Sequence, residues 1–76
     1  MEIKLATQLI LSEHNRAISK FPKFYSPHEG LAIIEEEFEE LKAEVFKQHD
    51  VRTVENMRKE AKQIAAMALR FMVDLT

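Results

Sequence analysis

The sequence contains no cysteine, one glycine and two prolines among its 76 residues. Without cysteine, neither disulfide bonds nor thiolate metal sites can stabilise the chain. The scarcity of glycine and proline leaves few places to interrupt a helix, and no alternation of β-branched residues indicates strands. We therefore expect an all-α protein with a single domain over residues 1–76, a size at which one hydrophobic core is only marginally sufficient.

Long apolar runs and a strong excess of one charge are also missing. No apolar run approaches the roughly 18 residues needed to span a bilayer, and the start of the sequence lacks the features of a secretion signal. The net charge of -2 provides no overall basic surface for nucleic acid. We expect a cytoplasmic protein that binds neither membranes nor nucleic acid.

The spacing of apolar residues predicts a first helix from about Glu2 to Lys20. The segment SPHE then indicates the start of a second helix, with Ser26 as N-cap, Pro27 at the first helical position and Glu29 completing a capping box. Along this helix, apolar residues at helical spacing predict a packed seam centred near Phe38, which consists of Leu31, Ile34, Phe38, Leu41 and Val45.

The second helix is expected to end near residues 47–49, and a third helix, capped by Asp50 or Thr53, is expected to continue to about Leu75. A short link between long helices predicts an antiparallel hairpin. The third helix is apolar around nearly its whole circumference from Ile64 to Val73, which indicates burial on more than one side. Because two other helices cannot cover it, we expect an oligomeric helical bundle, either a homodimer or a homotetramer.

The second helix also carries the segment LAIIEEEFEEL, in which glutamates crowd together. Like charges three or four residues apart on a helix are unfavourable by roughly 0.2 to 0.5 kcal/mol per pair. Glu37 and Glu40 lie one turn apart with Glu36 beside them, so their carboxylates can converge on one ion. Ligands of this kind suit Mg²⁺, Mn²⁺ or Ca²⁺. A solvated helix face is the alternative interpretation.

Glu60 lies on the apolar side of the third helix and is therefore expected to be partly buried. Buried charges are avoided unless they are paired or bound to a metal. One explanation is a salt bridge to Lys4 or Lys20. The other is that Glu60 meets Glu37 and Glu40 across the hairpin.

Two motifs on these helices carry a family resemblance. EEFEEL, from Glu36 to Leu41, fits the pattern Glu-Glu-x-x-Glu-Leu, and EAKQIAAM, from Glu60, occupies the place of Glu-x-x-Asp. With SPHEG ahead of them, the segment from Ser26 to Leu75 resembles the MazG-like group of all-α nucleoside triphosphate pyrophosphohydrolases, in particular its short phage and bacterial members.

The resemblance implies a homo-oligomeric helical bundle that uses Mg²⁺ or Mn²⁺ to hold a nucleoside triphosphate and hydrolyses it to a monophosphate and pyrophosphate. Glu37, Glu40 and Glu60 match metal-ligand positions, and Gln63 takes the fourth. Glu36 matches the adjoining acid, and a carboxylate outside the metal's ligand set can act as catalytic base.

Gln63 departs from the family pattern, which has aspartate at this position. A neutral amide oxygen is a poorer ligand for a hard dication. The substitution leaves a second interpretation open, in which the protein is a catalytically inactive MazG-like module that oligomerises through its third helix.

Two further groups of residues are candidates for substrate contacts. Lys59, Lys62 and Arg70 neighbour Gln63 along the third helix, where they either reach phosphates or form a solvated face. An aromatic cluster follows the first helix and either stacks on a base or closes the end of the bundle; it comprises Phe21, Phe24 and Tyr25.

Overall fold

The computed structural model describes residues 1–48 and 53–76. They form three helices, α1 (Ile3–Lys20), α2 (Pro27–Val45) and α3 (Val54–Leu75), with no strand in these two ranges. The predicted all-α fold is confirmed. Helix α2 ends slightly earlier than the sequence predicts, and His49 and the alternative cap Asp50 lie outside the described residues.

Side-chain caps explain where α2 and α3 begin. The Ser26 hydroxyl accepts a hydrogen bond from the Glu29 N–H at 3.2 Å, and the Glu29 carboxylate accepts one from the Tyr25 N–H at 2.7 Å. The return bond thus reaches the residue before the N-cap, one position earlier than in the predicted capping box. At α3, the Thr53 hydroxyl accepts a hydrogen bond from the Asn56 N–H at 3.1 Å. Both predicted helix starts are confirmed.

Helix α3 is the central element because it packs against both other helices. Helices α1 and α2, which are described over their full lengths, do not pack against each other. Two grooves therefore lie between them. One is lined on α3 by Glu60 and Gln63, and the other by Val54 and Ala61. At 100° per residue these pairs lie on roughly opposite faces of α3.

The core is small and lies between the C-terminal half of α3 and the residues that join α1 to α2. Its buried apolar residues are Ala17, Phe24, Ala66 and Met67. Gly30 brings α2 against this core, since a Cβ atom there would lie only 2.7 Å from Cδ2 of Phe71. A side chain at position 30 would therefore force the two helices or the Phe71 ring to move.

The predicted seam of α2 does not coincide with the face that packs on α3. Phe38, at its predicted centre, is 53% exposed. The least exposed positions of the helix are instead Gly30, Ile33, Ile34, Glu37, Leu41 and Glu44. The prediction was right for Ile34 and Leu41 and wrong for Leu31, Phe38 and Val45, which are exposed. The close approach at Gly30 turns α2 so that its acidic flank, rather than Phe38, faces α3.

Arg70 joins the end of α1 to α3. This side chain is 2% exposed, and its guanidinium donates hydrogen bonds to the backbone carbonyls of Ala17 (3.3 Å), Phe21 (2.7 Å) and Pro22 (2.6 Å). The Ala17 carbonyl also accepts a hydrogen bond from the Phe21 N–H at 2.9 Å, whereas the Phe21 and Pro22 carbonyls lie beyond the end of α1. Arg70 gives these two carbonyls a partner and holds the turn against α3.

Asp74 completes this arrangement. Its Oδ2 accepts hydrogen bonds from Nε of Arg70 at 3.0 Å and from the Phe24 N–H at 3.1 Å. Burial alone would raise the pKa of Asp74, but these two hydrogen bonds and the charge of Arg70 outweigh burial and lower the pKa. The carboxylate therefore stays ionised and fixes the position of Phe24.

None of the three helices combines the length and the apolar content that a bilayer-spanning helix requires.

We predict that Arg70→Met lowers the free energy of unfolding by about 3 to 5 kcal/mol, because the buried Asp74 carboxylate loses its charged partner. Urea denaturation followed by circular dichroism measures the change. Lys4→Met, which removes an exposed charge from α1, is the control and should change the stability by no more than about 0.5 kcal/mol. If Arg70→Met is as stable as this control, the buried pair does not stabilise the fold.

Candidate functional site

The groove on the acidic side of α3 forms an open cavity of about 580 Å³. All three helices contribute polar side chains to its wall. These include Glu13 and Arg16 from α1, Glu36, Glu37 and Glu40 from α2, and Lys59, Glu60 and Gln63 from α3. The cavity thus presents both acidic and basic groups to whatever occupies it.

Three carboxylates converge on the wall between α2 and α3. Glu37, Glu40 and Glu60 each offer one oxygen atom, and these atoms all lie within 4.8 Å of one another. Glu37 and Glu60 are half-buried, and Glu40 is exposed. The structure therefore brings together three acids that come from two helices, α2 and α3.

These carboxylates destabilise one another in their ionised form. Burial raises the pKa of Glu37 to about 7, with further contributions from a hydrogen bond to Glu40 and from the charges of Glu40, Glu60 and Glu36. Burial and the proximity of Glu40 also raise the pKa of Glu60. A shared proton or a bound cation would relieve this repulsion.

Glu60 has no basic partner in the part of the chain that the structure describes. No lysine or arginine there forms an ion pair with it, so the predicted salt bridge to Lys4 or Lys20 is not formed. Its buried Oε2 atom has no hydrogen-bond partner among these residues. Since a buried carboxylate oxygen normally has a donor or a cation beside it, the atom is suited to a ligand.

The spacing of the three oxygens fits a hard dication. Oxygen ligands bind Mg²⁺ at about 2.1 Å and Ca²⁺ at about 2.3 to 2.6 Å, so two ligands on opposite sides of one ion lie roughly 4 to 5 Å apart. The separation of up to 4.8 Å within the cluster falls in this range. With no sulfur or imidazole in the cluster, its chemistry favours Mg²⁺, Mn²⁺ or Ca²⁺ over zinc or copper.

The remaining predicted residues of the acidic site lie next to the cluster. Glu36 is exposed on the cavity wall beside Glu37. Gln63 is one turn beyond Glu60, and a hydrogen bond from its side chain contributes to the lowered pKa of Glu13. The amide of Gln63 is thus engaged by an acid from α1, which the sequence analysis did not anticipate.

The three predicted basic residues have different environments. Lys59 is exposed and lines the cavity. Lys62 is half-buried, and its Nζ atom lies 3.9 Å from Oε1 of Glu13. Arg70 lies deep in the cavity wall with its guanidinium bound to backbone carbonyls and Asp74. Of the three, Lys59 is the one that presents its charge most openly to the cavity.

Glu13 and Arg16 were missed by the sequence analysis. Glu13 is 6% exposed, and Arg16 donates hydrogen bonds to both of its carboxylate oxygens. A signal for this site was present, because Ala6, Ile10, Glu13 and Ala17 follow one another at helical spacing. A single acid within an apolar stripe indicates a buried charge that has a specific partner.

The three residues of the aromatic cluster lie in different environments. Phe24 is buried in the core, where its ring centroid lies 5.2 Å from the guanidinium carbon of Arg70. Phe21 lines the cavity, whereas Tyr25 is 91% exposed. Phe24 also lines the cavity, but Phe21 is the more exposed of the two aromatic side chains there.

The chain matches no known family model, no curated protein and no solved structure. The MazG-like resemblance therefore depends on the sequence motifs alone and stays a prediction.

We predict that Glu37→Gln stabilises the metal-free protein at pH 8. Glu37 has a pKa of about 7 in the folded protein against 4.5 as its ordinary value. The folded state therefore holds this proton more tightly, and stability falls as the pH rises from about 4.5 to 7. Glutamine removes this loss. The free energy of unfolding of the variant should therefore be about 1 kcal/mol higher than that of the original protein at pH 8, after allowance for solvent screening, and equal to it near pH 5.

Urea denaturation in EDTA at several pH values tests this prediction. Glu39→Gln is the matched control, since it removes an exposed carboxylate from the same helix. The prediction fails if Glu37→Gln loses stability between pH 5 and 8 as steeply as the original protein does.

Proposed function

We propose that the protein is a MazG-like nucleoside triphosphate pyrophosphohydrolase that uses Mg²⁺ or Mn²⁺ to hydrolyse a nucleoside or deoxynucleoside triphosphate to its monophosphate and pyrophosphate. The observation that carries the proposal is the convergence of Glu37, Glu40 and Glu60 within 4.8 Å. They come from two motifs separated along the chain, and they face one cavity. Its volume of about 580 Å³ lies within the range of small-molecule sites, about 300 to 1,000 Å³.

Each acidic residue has a role in this proposal. Glu37, Glu40 and Glu60 would hold the metal, and a bound ion would supply neutralisation of phosphate charge. Glu36 accepts the proton of the water that attacks the α-phosphorus, since it lies on the same wall outside the cluster of three. The bond between the α-phosphorus and the bridging oxygen breaks, and pyrophosphate leaves. Gln63 adjoins the metal site as a neutral fourth group.

The proposal includes an antiparallel arrangement of α2 and α3. Its support is the order of the contacts between them. Gly30 near the start of α2 lies beside Phe71 near the end of α3, whereas Glu44 near the end of α2 is close enough to Asn56 near the start of α3 to accept a hydrogen bond. This order is the one expected of a hairpin.

A second candidate function is that of an oligomerising interaction module without catalytic activity. Gln63 favours it, because the amide replaces a charged ligand. The apolar groove on the other face of α3 favours it as well; its lining includes Leu9, Ile10, Leu41, Val45, Val54, Met57 and Ala61. Such a groove fits an apolar helix face of a second copy.

The exposed surface of the chain also agrees with oligomerisation. The chain exposes 5682 Å². A compact monomer of 8.9 kDa is expected to expose about 4,800 Å². The excess of about 900 Å² is close to the roughly 800 Å² that each partner buries in a standard interface. Exposed apolar residues account for part of this excess, among them Leu31, Phe38 and Met72.

Assays with purified protein test the enzymatic proposal. We predict pyrophosphate release from at least one member of a panel of nucleoside and deoxynucleoside triphosphates with Mg²⁺ or Mn²⁺. Glu40→Ala should reduce the rate more than about tenfold, because it removes a metal ligand. Glu39→Ala, which alters an exposed acid next to it, should retain the rate. Release from no nucleotide by the folded protein would leave the interaction module as the remaining function.

The change Gln63→Asp tests the fourth position within the same assay. A carboxylate one turn from Glu60 should reduce the metal concentration that gives half the maximal rate. It should also destabilise the protein, because its charge would lie beside the buried Glu13. An unchanged metal requirement would show that position 63 lies outside the ligand set.

We further predict a dimer or tetramer in solution, measured by light scattering coupled to gel filtration. Ala61→Glu places a charge in the apolar groove at an exposed position of α3 and should shift the protein toward monomers without unfolding it. Ala43→Glu is the control, because Ala43 is exposed on α2 and lines neither groove. A monomer at all concentrations would contradict the oligomeric bundle.

A further inference from the structure

The α1 wall of the acidic cavity contains an ion pair that the proposed metal site does not use. Glu13 accepts hydrogen bonds from Nε of Arg16 at 3.1 and 3.0 Å, one to each oxygen, and a further bond from Nη2. Lys62 approaches from α3, with its Nζ atom 3.9 Å from Oε1. Two cations thus share one buried carboxylate.

The surroundings of Glu13 favour its ionised form, whereas those of Glu37 and Glu60 across the cavity raise the pKa. The hydrogen bonds from Arg16 lower the pKa of Glu13 against the effect of burial. The charges of Arg16 and Lys62 and a hydrogen bond from Gln63 lower it further. Glu13 therefore needs no additional cation. Its position on the apolar stripe of α1 is explained by what it holds in place, namely the guanidinium of Arg16.

Arg16 is held with part of its guanidinium unused. Its Nε and Nη2 atoms face Glu13, and Nη1 has no hydrogen-bond partner in residues 1–48 and 53–76. The side chain lines the cavity and is 47% exposed. A guanidinium is planar and always charged, so fixing one edge on a carboxylate orients the remaining N–H groups in advance. Groups oriented in this way are suited to phosphate oxygens.

Lys59 adds a second positive charge to the same cavity. It is exposed, and it precedes Glu60 on α3. Its charge acts on Glu60 and Glu44, so it lies close to the acids, whereas Arg16 comes from α1. The cavity wall therefore combines acids that favour a cation with two basic residues that favour an anion. A ligand that satisfies both kinds of group carries several phosphate oxygens together with a chelated metal.

We propose that Arg16, positioned by Glu13 and assisted by Lys59, is an anion-binding site that receives the phosphate groups of a metal-chelated di- or triphosphate. Arg16 touches the ligand, and Glu13 acts through Arg16 as a positioning residue. The proposal rests on the proposed function, in which Glu37, Glu40 and Glu60 would hold the metal of the ligand.

Calorimetric titrations of the full chain with inorganic pyrophosphate at a fixed Mg²⁺ concentration test the site. Arg16→Gln should weaken pyrophosphate binding by about tenfold, the loss expected for one charge-assisted hydrogen bond. The affinity for Mg²⁺ alone should change by less than about twofold, because Arg16 contacts none of the proposed metal ligands. Lys20→Gln, which removes an exposed charge from the same helix, is the control for overall charge and should bind pyrophosphate normally.

Glu13→Gln separates positioning from direct contact. The variant keeps the shape of the side chain but loses the charge that fixes Arg16, so it should also weaken pyrophosphate binding while the affinity for Mg²⁺ is retained. Circular dichroism establishes that the variant is folded. A fall in Mg²⁺ affinity in Glu13→Gln would instead assign Glu13 to the metal and overturn its positioning role.

The outcomes distinguish this proposal from the proposed function. If Arg16→Gln binds pyrophosphate as tightly as the original protein, the anion site is overturned, while Mg²⁺ binding and nucleotide hydrolysis still support the enzyme. If the original protein binds no Mg²⁺, the proposed function fails, and titration with pyrophosphate in EDTA then tests the anion site by itself. If the original protein binds pyrophosphate in EDTA and Arg16→Gln does not, the anion site is supported. If the original protein binds no pyrophosphate in EDTA, the anion site is overturned.

Discussion

The buried guanidinium of Arg70 is the interaction on which the arrangement of the helices depends. Its carbonyl partners lie at the end of α1 and in the turn that follows, about fifty residues away along the chain. Asp74 holds the guanidinium from the other side and also binds the Phe24 N–H. One pair of charges on α3 thus holds the end of α1 and the turn toward α2 in place. A core this small could not provide the same precision through apolar contacts alone.

The position of the acidic cluster follows from this anchor. Phe24, held by Asp74, packs beside Gly30 at the start of α2, and Phe71 of α3 fills the space that a side chain at position 30 would occupy. Helix α2 is therefore turned with its acidic flank toward α3, so Glu37 meets Glu60. The fold places carboxylates where the apolar periodicity of α2 would place Phe38. Their raised pKa values show that this arrangement is costly when both are ionised.

Local features of the fold could be predicted from the sequence, whereas the rotation of α2 could not. Ser26 and Thr53 predict the starts of α2 and α3, because helix capping depends on residues that are close in sequence. The meeting of the acids on α2 with Glu60 followed from helical spacing and a short connection. An apolar stripe, however, does not indicate whether it packs on its own chain or on another copy, and Phe38 was assigned wrongly for this reason. Arg70 resembled a phosphate ligand because its carbonyl partners are distant in sequence.

The direction of the pKa shift separates the acids that stabilise the fold from the acids that are suited to a ligand. Asp74 and Glu13 are each satisfied by an arginine, and their pKa values are lowered. Glu37 and Glu60 face other acids, and their pKa values are raised. Gln63 lies at the boundary between the two groups.

An aspartate at position 63 would add a negative charge beside the buried Glu13, whereas the amide of Gln63 hydrogen-bonds to it. The buried carboxylate on α1 therefore explains why position 63 carries an amide and does not add a fourth carboxylate to the acidic cluster. Any role of position 63 as a metal ligand must be considered together with Glu13, which Gln63 contacts. In this chain the amide hydrogen-bonds to the acid that binds Arg16, so in the proposed site one polar contact would come from α1 rather than from α3.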